Sequence, residues 1–371
     1  MVIGVLKETA PHEKRVACTP DVAAQFIKKE HQVLVEQTAG LASSFPDATY
    51  EAVQAQVTDK NNLLSKADLI LAVQTPDRDT LDQIREGTIL ICFVWALQNP
   101  ALVDVFKEKG ITVLAMEAIP RISRAQNMDA LSSMGNIAGY KSALIAAETL
   151  DRYLPMMMTA AGTIPPAKAM ILGAGVAGLQ AIATCKRLGA VVEAFDVRPA
   201  VKEQVESLGA KFIDVPLDED TETKGGYAKE LSKDAQQRQR EVIHEHAKKS
   251  DIIITTALIP GKPAPLLITK EMVADMKPGS VIVDMAAETG GNCAYTQVGE
   301  TVLEHEVNIV GPVNLPSQLA NHASLLYAKN MLALLNLLVV EGKPAFNFED
   351  EIILNTTLTH QGEIISPMLK S

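Results

Sequence analysis

Short apolar runs alternate with segments of helical periodicity along most of the chain. In the first block, the runs predicted as strands are Val2–Leu6, Gln32–Glu36, Leu69–Gln74, Ile89–Val94 and Thr112–Glu117. Apolar residues at helical spacing lie between them, for example in Pro20–Lys29 and Pro100–Lys109. Because strands separated by helices are joined by right-handed crossovers, this block predicts a parallel sheet with helices packed on it.

A second block repeats this pattern. Its predicted strands are Ala169–Leu172, Val191–Phe195, Lys211–Ile213, Ile252–Thr255, Val281–Met285 and Asn308–Val310. The sequence therefore predicts an α/β protein with two Rossmann-like domains, each built on a parallel sheet. We assign residues 1–128 and 330–371 to the N-terminal domain, and residues 169–316 to the second domain.

Two long stretches with few helix breakers, residues 129–153 and 317–340, are predicted to be helices that join the two domains. Between residues 154 and 168, the sequence MMMTAAGTIPPA predicts an apolar hairpin. This hairpin is either a local flap on the core or an arm between subunits. We expect the arm, and hence a homodimer, because exposed methionine-rich surface usually meets a partner.

The composition is typical of a soluble globular protein, with 47% apolar and 21% charged residues. The formal net charge of −11 argues against nucleic acid and against anionic membrane surfaces, both of which attract basic patches. The longest apolar runs, residues 88–97 and 331–340, are far shorter than the ~20 residues that span a bilayer. The first residues predict a strand rather than a signal peptide.

The cysteines are distant from one another in the sequence, at Cys18, Cys92, Cys185 and Cys293. They form neither a CxxC pair nor a cysteine–histidine spacing that is typical of a metal site. We therefore expect reduced thiols, a cytoplasmic location and no metal.

A glycine-rich turn follows the first strand of the second block and opens an apolar helix. Gly173 permits a tight turn, Gly175 lets the backbone approach a pyrophosphate, and Gly178 allows the helix to pack closely on the strand. The N–H groups and the helix dipole around Val176 and Ala177 favour an anion. The motif predicts a dinucleotide site, and a strand-to-helix turn without a ligand is the alternative.

An acidic residue stands at the end of the next strand. Asp196 lies 18 residues after Gly178, where a carboxylate accepts hydrogen bonds from the adenosine ribose and repels the 2′-phosphate of NADP. Together with its neighbour Val197, it favours NAD. Arg198 leaves NADP as the alternative, because an arginine near this position serves the 2′-phosphate.

Small residues follow a later strand of the same block. Ala257 and Leu258 come after Ile252–Thr255, at the carboxyl end of a strand, where open α/β sheets bind ligands. We expect the nicotinamide half to lie against this backbone. An ordinary strand-to-helix turn is the alternative.

Taken together, these stretches resemble the soluble NAD(H)-binding α subunit of proton-translocating nicotinamide nucleotide transhydrogenase, over essentially the whole chain. The most specific segment is residues 120–133, PRISRAQNMDALSS. The resemblance implies that an Arg, Gln, Asp and Ser of this segment meet the nicotinamide end of NAD. The matching residues are Arg121, Gln126, Asp129 and Ser132, with Ile122, Ser123 and Arg124 beside them.

The residues of that segment also allow a structural interpretation. At the entry to a long helix, Asp129 near the first turn and an arginine in a surface pair would be ordinary helix-start features. The resemblance favours the nucleotide site. It further identifies Gly226 and Tyr227 with a mobile loop that closes over the nucleotide, and Gln239 with another nucleotide contact.

The resemblance implies direct hydride transfer between two nicotinamides. This needs two C4 atoms held about 3–3.5 Å apart with water excluded, and neither a nucleophile nor a general base. The chain has one dinucleotide motif, so NADP(H) is expected on a β subunit domain of the partner, and its reaction is coupled to proton translocation. The chain is expected to be peripheral to the inner membrane on its cytoplasmic side, through membrane subunits only.

Two other functions stay open. Alanine dehydrogenase shares this domain plan, and Arg15 stands where that enzyme binds the substrate carboxylate. Its lysine position is Gln74, however, and its histidine position is Ala96 or Trp95, so the general acid/base is missing. Arg15 is then expected to be a structural relic or to pair with a nearby acid. The third function is a non-catalytic NAD-sensing module.

Overall fold

The computed structural model describes residues 1–215, 232–258 and 262–370. The chain forms two compact units. Unit 1 comprises Met1–Met134 and Pro316–Ser371, and unit 2 comprises Gly135–Leu315. Within the described residues, no helix combines the length and the apolar character that crossing a bilayer requires.

The elements are numbered in chain order. The helices are α1 (Pro20–Lys28), α2 (Asp47–Glu51), α3 (Lys60–Lys66), α4 (Arg78–Gln83), α5 (Pro100–Glu108), α6 (Ala130–Thr149), α7 (Val176–Arg187), α8 (Lys202–Ser207), α9 (Lys233–Ala247), α10 (Lys270–Ala274), α11 (Ala320–Leu338) and α12 (Glu351–Thr356). The strands of the first half are β1 (Val2–Val5), β2 (Gln32–Glu36), β3 (Gln56–Thr58), β4 (Leu69–Gln74), β5 (Ile89–Phe93), β6 (Thr112–Ala115), β7 (Met157–Thr159), β8 (Gly162–Ile164) and β9 (Lys168–Leu172). The later strands are β10 (Val191–Phe195), β11 (Lys211–Phe212), β12 (Ile252–Thr255), β13 (Val281–Asp284), β14 (Thr301–Glu304), β15 (Val307–Val310), β16 (Val339–Val340), β17 (Lys343–Pro344), β18 (Thr357–His360) and β19 (Glu363–Ile364).

The main sheet of unit 1 has the order β19-β18-β6-β5-β4-β1-β2-β3. Its strands from β6 to β3 are parallel. The central strand β4 is a continuous apolar run whose Leu69–Val73 part is buried, as expected for a parallel strand that is covered on both faces.

The main sheet of unit 2 has the order β11-β10-β9-β12-β13-β15-β14. The central strand β9 supplies alternate residues to two hydrophobic clusters: Ala169 and Ile171 to one, Met170 and Leu172 to the other. The first cluster contains residues of α6 and α7, and the second contains residues of α9 and α10. Helices therefore cover both faces, as in a doubly wound sheet.

The α/β fold with two Rossmann-like sheets is confirmed, although each sheet is mixed at one edge. In unit 1, β18 is antiparallel to β6, and β19 to β18; in unit 2, β14 is antiparallel to β15. The pairs β14–β15 and β18–β19 are hairpins with two-residue turns, His305–Glu306 and Gln361–Gly362, whose four φ angles are all positive. A tight hairpin turn reverses the strand direction, whereas a helical crossover keeps it.

The two long helices form within their predicted ranges, as α6 and α11. The boundary between the units falls inside α6, between Met134 and Gly135. Their role in joining two domains stays a prediction. The hairpin between them also forms: β7 and β8 pair antiparallel, and Met158 is 79% exposed.

Candidate functional site

The sheet of unit 2 has a topological switch point between β9 and β12. The chain goes from β9 to β10 on one side, whereas β12 lies on the other, and such a point leaves a crevice at the carboxyl ends of the two strands. The glycine turn follows β9, and the Ala257 segment follows β12. Thr256 links them, because its Oγ1 donates to the carbonyls of Leu172 and Gly173, 3.2 Å away in each case.

Each of the three motif glycines has its own steric environment. Gly173 has a φ of +102°, which an L side chain rarely adopts. A Cβ on Gly178 would lie 1.8 Å from the carbonyl oxygen of Gly173, so only glycine lets α7 approach the turn this closely. At Gly175, the only described atom within 4 Å of a Cβ would be Nη2 of Arg198, at 4.0 Å. The space above Gly175 is thus free for a ligand's phosphates.

The start of α7 is suited to an anion. Gly175 is its N-cap residue and provides no side-chain hydrogen bond. The first N–H groups of any α-helix lack an intrahelical partner, and the helix dipole adds partial positive charge there. Val176 is 42% exposed at this position. The turn therefore fits the pyrophosphate of a dinucleotide.

Asp196 braces the glycine turn from the end of β10. Its Oδ2 accepts from the Ala174 N–H at 2.7 Å and from Nη2 of Arg198 at 2.8 Å. Its Oδ1 accepts from the backbone N and from Nε of Arg198, both at 2.9 Å. The carboxylate is thus next to the turn, as the sequence predicts, but Arg198 is its main partner. A ribose hydroxyl would have to replace a bond that Arg198 makes.

The Ala257 segment is held by a residue that the sequence analysis did not find. The side chain of Asn292 hydrogen-bonds both the N–H and the carbonyl of Ala257, while Leu258 is 51% exposed. The signal that could have indicated Asn292 is its position after a Gly-Gly pair, just beyond the strand that ends at Asp284.

Three further predicted contacts belong to unit 2. Gln239 lies on α9 and is buried, with 8% exposure. Val197 is partly buried beside Asp196. The loop residues Gly226 and Tyr227 lie outside the described residues.

The segment with the most specific resemblance lies in unit 1. Its core is a 3₁₀ helix over Ser123–Met128, in which Ala125 and Met128 are buried. Arg121, Ser123, Arg124 and Gln126 are exposed, and Ile122 is partly buried. Nδ2 of Asn330, on α11, donates to the carbonyl of Asn127 at 2.8 Å. The buried residues fix the turn, and the exposed polar residues are left for a ligand.

Asp129 has a structural role at the start of α6. Its carboxylate accepts from the Ser132 backbone N at 2.8 Å and from the Ser132 hydroxyl at 2.6 Å, which is an N-cap arrangement. Arg124 forms a bidentate pair with Asp350, at 2.7 and 2.8 Å, and this pair lowers the pKa of Asp350. Two features of the structural interpretation, a capping acid and an arginine in a surface pair, are therefore present. That this segment also contacts nicotinamide stays a prediction.

Comparison with protein families identifies the chain. The N-terminal domain of alanine dehydrogenase/PNT matches residues 4–138, and the C-terminal domain of alanine dehydrogenase/PNT matches residues 142–367. The chain belongs to the alanine dehydrogenase/PNT family. This family assignment agrees with the two-domain resemblance found in the sequence.

Within the family, the transhydrogenase branch is the more similar. An NAD(P) transhydrogenase subunit alpha protein from Rhodospirillum rubrum is 48% identical over 379 aligned positions, which cover 100% of this chain and 99% of that protein. The crystal structure of transhydrogenase from Sinorhizobium meliloti has a TM-score of 0.87 and 43% identity, and it covers 99% of this chain and 100% of that one. Alanine dehydrogenase from Bacillus subtilis is more distant, with 31% identity over 294 positions, 78% of this chain and 72% of that protein.

The family positions that serve alanine dehydrogenase lie in unit 1, at its own switch point between β1 and β4. Arg15 is 4% exposed and pairs with Glu13, with its Nε at 2.8 Å and its Nη2 at 2.6 Å from the carboxylate. Nε2 of Gln74 donates to the same carboxylate at 3.1 Å. The expectation that Arg15 pairs with a nearby acid is confirmed.

Further carboxylates fill this edge of the unit 1 sheet. Glu8 accepts from the backbone N–H groups of Val73 and Gln74, and burial raises its pKa to about 8. Glu117 accepts from the backbone N of Trp95 at 2.5 Å, and burial raises its pKa as well. Trp95 itself has a φ of 55°, a left-handed conformation that this bond helps to hold. Side chains of the chain itself thus occupy the crevice of unit 1.

Proposed function

We propose that this chain is the NAD(H)-binding component of a proton-translocating transhydrogenase. In the proposed reaction, hydride passes directly from NADH on this chain to NADP⁺ on a partner subunit, and no proton moves with it. NADH supplies the hydride. The observation that carries the proposal is the open glycine turn of unit 2, in a chain that matches a transhydrogenase α subunit over its full length.

The residues of unit 2 have distinct roles in the proposal. The N–H groups of Val176 and Ala177 bind the pyrophosphate above Gly175. Asp196 accepts from the adenosine ribose and gives the preference for NAD(H). The backbone of Ala257 and Leu258 borders the nicotinamide half. The other proposed contacts of this unit are Val197, Arg198, Gly226, Tyr227 and Gln239.

The residues of the 120–133 segment orient the nicotinamide end in the proposal. The Gln126 amide offers a donor and an acceptor to the carboxamide or ribose, and Arg121 offers a rigid set of donors. The N-cap bonds between Asp129 and Ser132 keep both side chains in one geometry. Their backbone neighbours Ile122, Ser123 and Arg124 complete this region of the proposed site.

A transhydrogenase is favoured over an amino-acid dehydrogenase by the unit 1 crevice. A dehydrogenase of that kind needs a free arginine for the substrate carboxylate and a general acid/base. Arg15 pairs with Glu13, and Gln74 bonds the same carboxylate. Neither the amide of Gln74 nor the residue Ala96 transfers a proton at neutral pH.

The proposal includes partners. NADP(H) is bound by a β subunit domain, and membrane subunits couple its reaction to proton translocation. The chain itself is placed on the cytoplasmic side, peripheral to the inner membrane, and touches the membrane only through these partners. We also propose a homodimer formed by the β7–β8 arm, because the arm exposes Met156 (58%), Met158 (79%) and Ile164 (42%).

The test is an assay with three outcomes. The full chain is mixed with NADH, an oxidised NADP analogue and the purified NADP-binding domain of the partner, and oxidation of NADH is followed by absorbance. We expect turnover only when all three are present. Reduction of NAD⁺ by alanine alone would support a dehydrogenase instead, and tight NADH binding without either reaction would support a sensor.

The role of Gln126 is tested in the same assay. We predict that Gln126→Asn keeps the Kd of NADH within about three-fold but slows hydride transfer by about ten-fold or more, because a shorter amide misplaces the ring. The matched control is Gln37→Asn, at an exposed position of unit 1. Unchanged transfer in Gln126→Asn would refute the proposed role.

A further inference from the structure

Asn292 makes a paired set of hydrogen bonds with the backbone beside the glycine turn. Its Oδ1 accepts from the Ala257 N–H at 3.1 Å, and its Nδ2 donates to the Ala257 carbonyl at 2.9 Å. Nδ2 also donates to the carbonyl of Pro265 at 2.8 Å. Asn292 is completely buried. Its amide therefore binds both backbone groups of one residue and connects them to the chain beyond residues 259–261.

The position of Asn292 is fixed in turn by a buried carboxylate. Oδ2 of Asp284 accepts from the backbone N–H groups of Asn292 at 2.7 Å and of Cys293 at 3.0 Å, and from the Thr296 hydroxyl at 2.6 Å. Oδ1 accepts from the Thr255 hydroxyl at 2.8 Å. Asp284 has no solvent exposure, so these donors replace the water that an ionised carboxylate requires.

This network joins the ends of two neighbouring strands. Thr255 is the last residue of β12 and Asp284 the last of β13. The next residue after Thr255, Thr256, bonds the carbonyl of Gly173. The network therefore sets where the chain leaves β12, on the side of the switch point opposite the β10 edge that carries Asp196.

We propose that Asn292 is a positioning residue for the nicotinamide half of the bound nucleotide. It holds the peptide of Ala257 at one distance from the glycine turn, so the nicotinamide ribose and ring meet a fixed backbone. The inference rests on the proposed function. It also predicts that the adenosine half, whose contacts are on β10 and α7, does not depend on Asn292.

The experiment compares a whole nucleotide with its adenosine half. The Kd values of NADH and of ADP are measured by calorimetry for the full chain, for Asn292→Ala and for Asn292→Asp. The aspartate keeps the size and an acceptor for the Ala257 N–H but loses both donated bonds. Asn308→Asp, at a partly buried position on β15 of the same unit, is the matched control. Thermal melts establish that each variant is folded.

We expect Asn292→Ala to raise the Kd of NADH by about ten-fold and that of ADP by less than about two-fold. Asn292→Asp should change the two Kd values in the same unequal way, and it carries the test if the alanine variant does not fold. Hydrogen exchange gives a readout without nucleotide: the Ala257 amide should exchange faster in Asn292→Ala, because its acceptor is gone.

Three results would overturn the inference or its basis, and they are distinguishable. Equal weakening of NADH and ADP would mean that Asn292 supports the whole fold rather than the nicotinamide half. Unchanged binding of both, with a wild-type chain that binds NADH, would overturn this inference alone. A wild-type chain that bound neither nucleotide would overturn the proposed function and the inference with it.

Discussion

The two switch points of this molecule have the same topology and opposite contents. In unit 1 the strand order β2-β1-β4-β5 places a crevice between β1 and β4; in unit 2 the order β10-β9-β12-β13 places one between β9 and β12. The first is filled by Glu8 and by the pair of Glu13 with Arg15. The second is bordered by Gly175, which leaves open space.

The difference lies in the residues that come directly after the first strand of each sheet. After β1 the chain continues with large residues, Leu6, Lys7 and Glu8, and the Glu8 carboxylate bonds the end of β4. After β9 it continues with Gly173, Ala174 and Gly175, so no side chain can cross the crevice. Topology provides a place for a ligand, but these few residues decide whether the chain itself or a nucleotide occupies it.

The largest expected effect comes from opening the filled crevice. We predict that Glu13→Ala lowers the free energy of unfolding by about 3–5 kcal/mol, because the buried Arg15 guanidinium loses its carboxylate. Chemical denaturation measures this, and the exposed Glu108→Ala in the same unit should change it by less than about 0.5 kcal/mol. The Kd of NADH for the folded variant should stay the same. A loss of NADH binding in folded protein would contradict the separate roles of the two crevices.

The next effect is a pH dependence that only the filled crevice should have. Burial raises the pKa of Glu8 to about 8 from 4.5. The stabilisation that the protonated form gives is complete below 4.5 and is lost as the pH rises through 8, because only the folded chain still binds that proton. Relative to Glu8→Gln, wild-type stability should fall by up to about 1.4 kcal/mol per pH unit between these values.

Denaturation at several pH values, with both proteins side by side, measures the slope. Glu117, whose pKa burial also raises, is present in both proteins, so its contribution cancels in the difference. Glu108→Gln serves as the control and should follow the wild type. Parallel curves for the wild type and Glu8→Gln would show that Glu8 is ionised in the folded protein.

The sequence predicted the open crevice better than the filled one, for a physical reason. A dinucleotide turn depends on local residues: Gly173 and Gly178 are required by backbone geometry within a few positions, and Asp196 follows one strand later. The filling of the other crevice depends on contacts that are distant in sequence, such as Glu8 with Gln74. Carboxylates near a chain start carry no local sign that they will be buried.

The success of the fold prediction varies along the chain for a similar reason. The parallel strands are apolar runs, so their positions were predicted within two residues. The antiparallel edge strands β14, β18 and β19 are short and alternate polar with apolar residues, and β3 has a single buried residue, Thr58. Asn292 was missed because an asparagine in a loop has many roles, and only the tertiary bonds to Ala257 distinguish this one.

A smaller effect is expected from closing the open crevice. Gly175→Ala adds a methyl group whose only described neighbour within 4 Å is Nη2 of Arg198, so stability should change little. The Kd of NADH should rise by about ten-fold or more, because the methyl group occupies the space of the phosphates. Gly178→Ala is the matched contrast: its Cβ meets the Gly173 carbonyl at 1.8 Å, and it should lower stability by about 1–3 kcal/mol. Equal stability loss in both would show that the space at Gly175 belongs to packing.

The smallest effect concerns which nucleotide the open crevice accepts. We predict that Asp196→Ala weakens NADH by about ten-fold or less and NADPH less than NADH, so the selectivity between them shrinks. Asp196 repels a 2′-phosphate, and it also holds Arg198 through Nε and Nη2. Its removal therefore deletes a negative charge and frees a guanidinium that matches a phosphate.

These two contributions can be separated with Arg198. In the double variant Asp196→Ala/Arg198→Ala, the repulsion is still absent but the guanidinium is gone, so NADPH should bind more weakly than in Asp196→Ala. Asp196→Asn is the control for the turn, because its amide oxygen still accepts from the Ala174 N–H that Asp196 now holds. If Asp196→Ala leaves the ratio of the two Kd values unaltered, the carboxylate braces the glycine turn and does not read the ribose. The open crevice would then obtain its nucleotide preference from other residues.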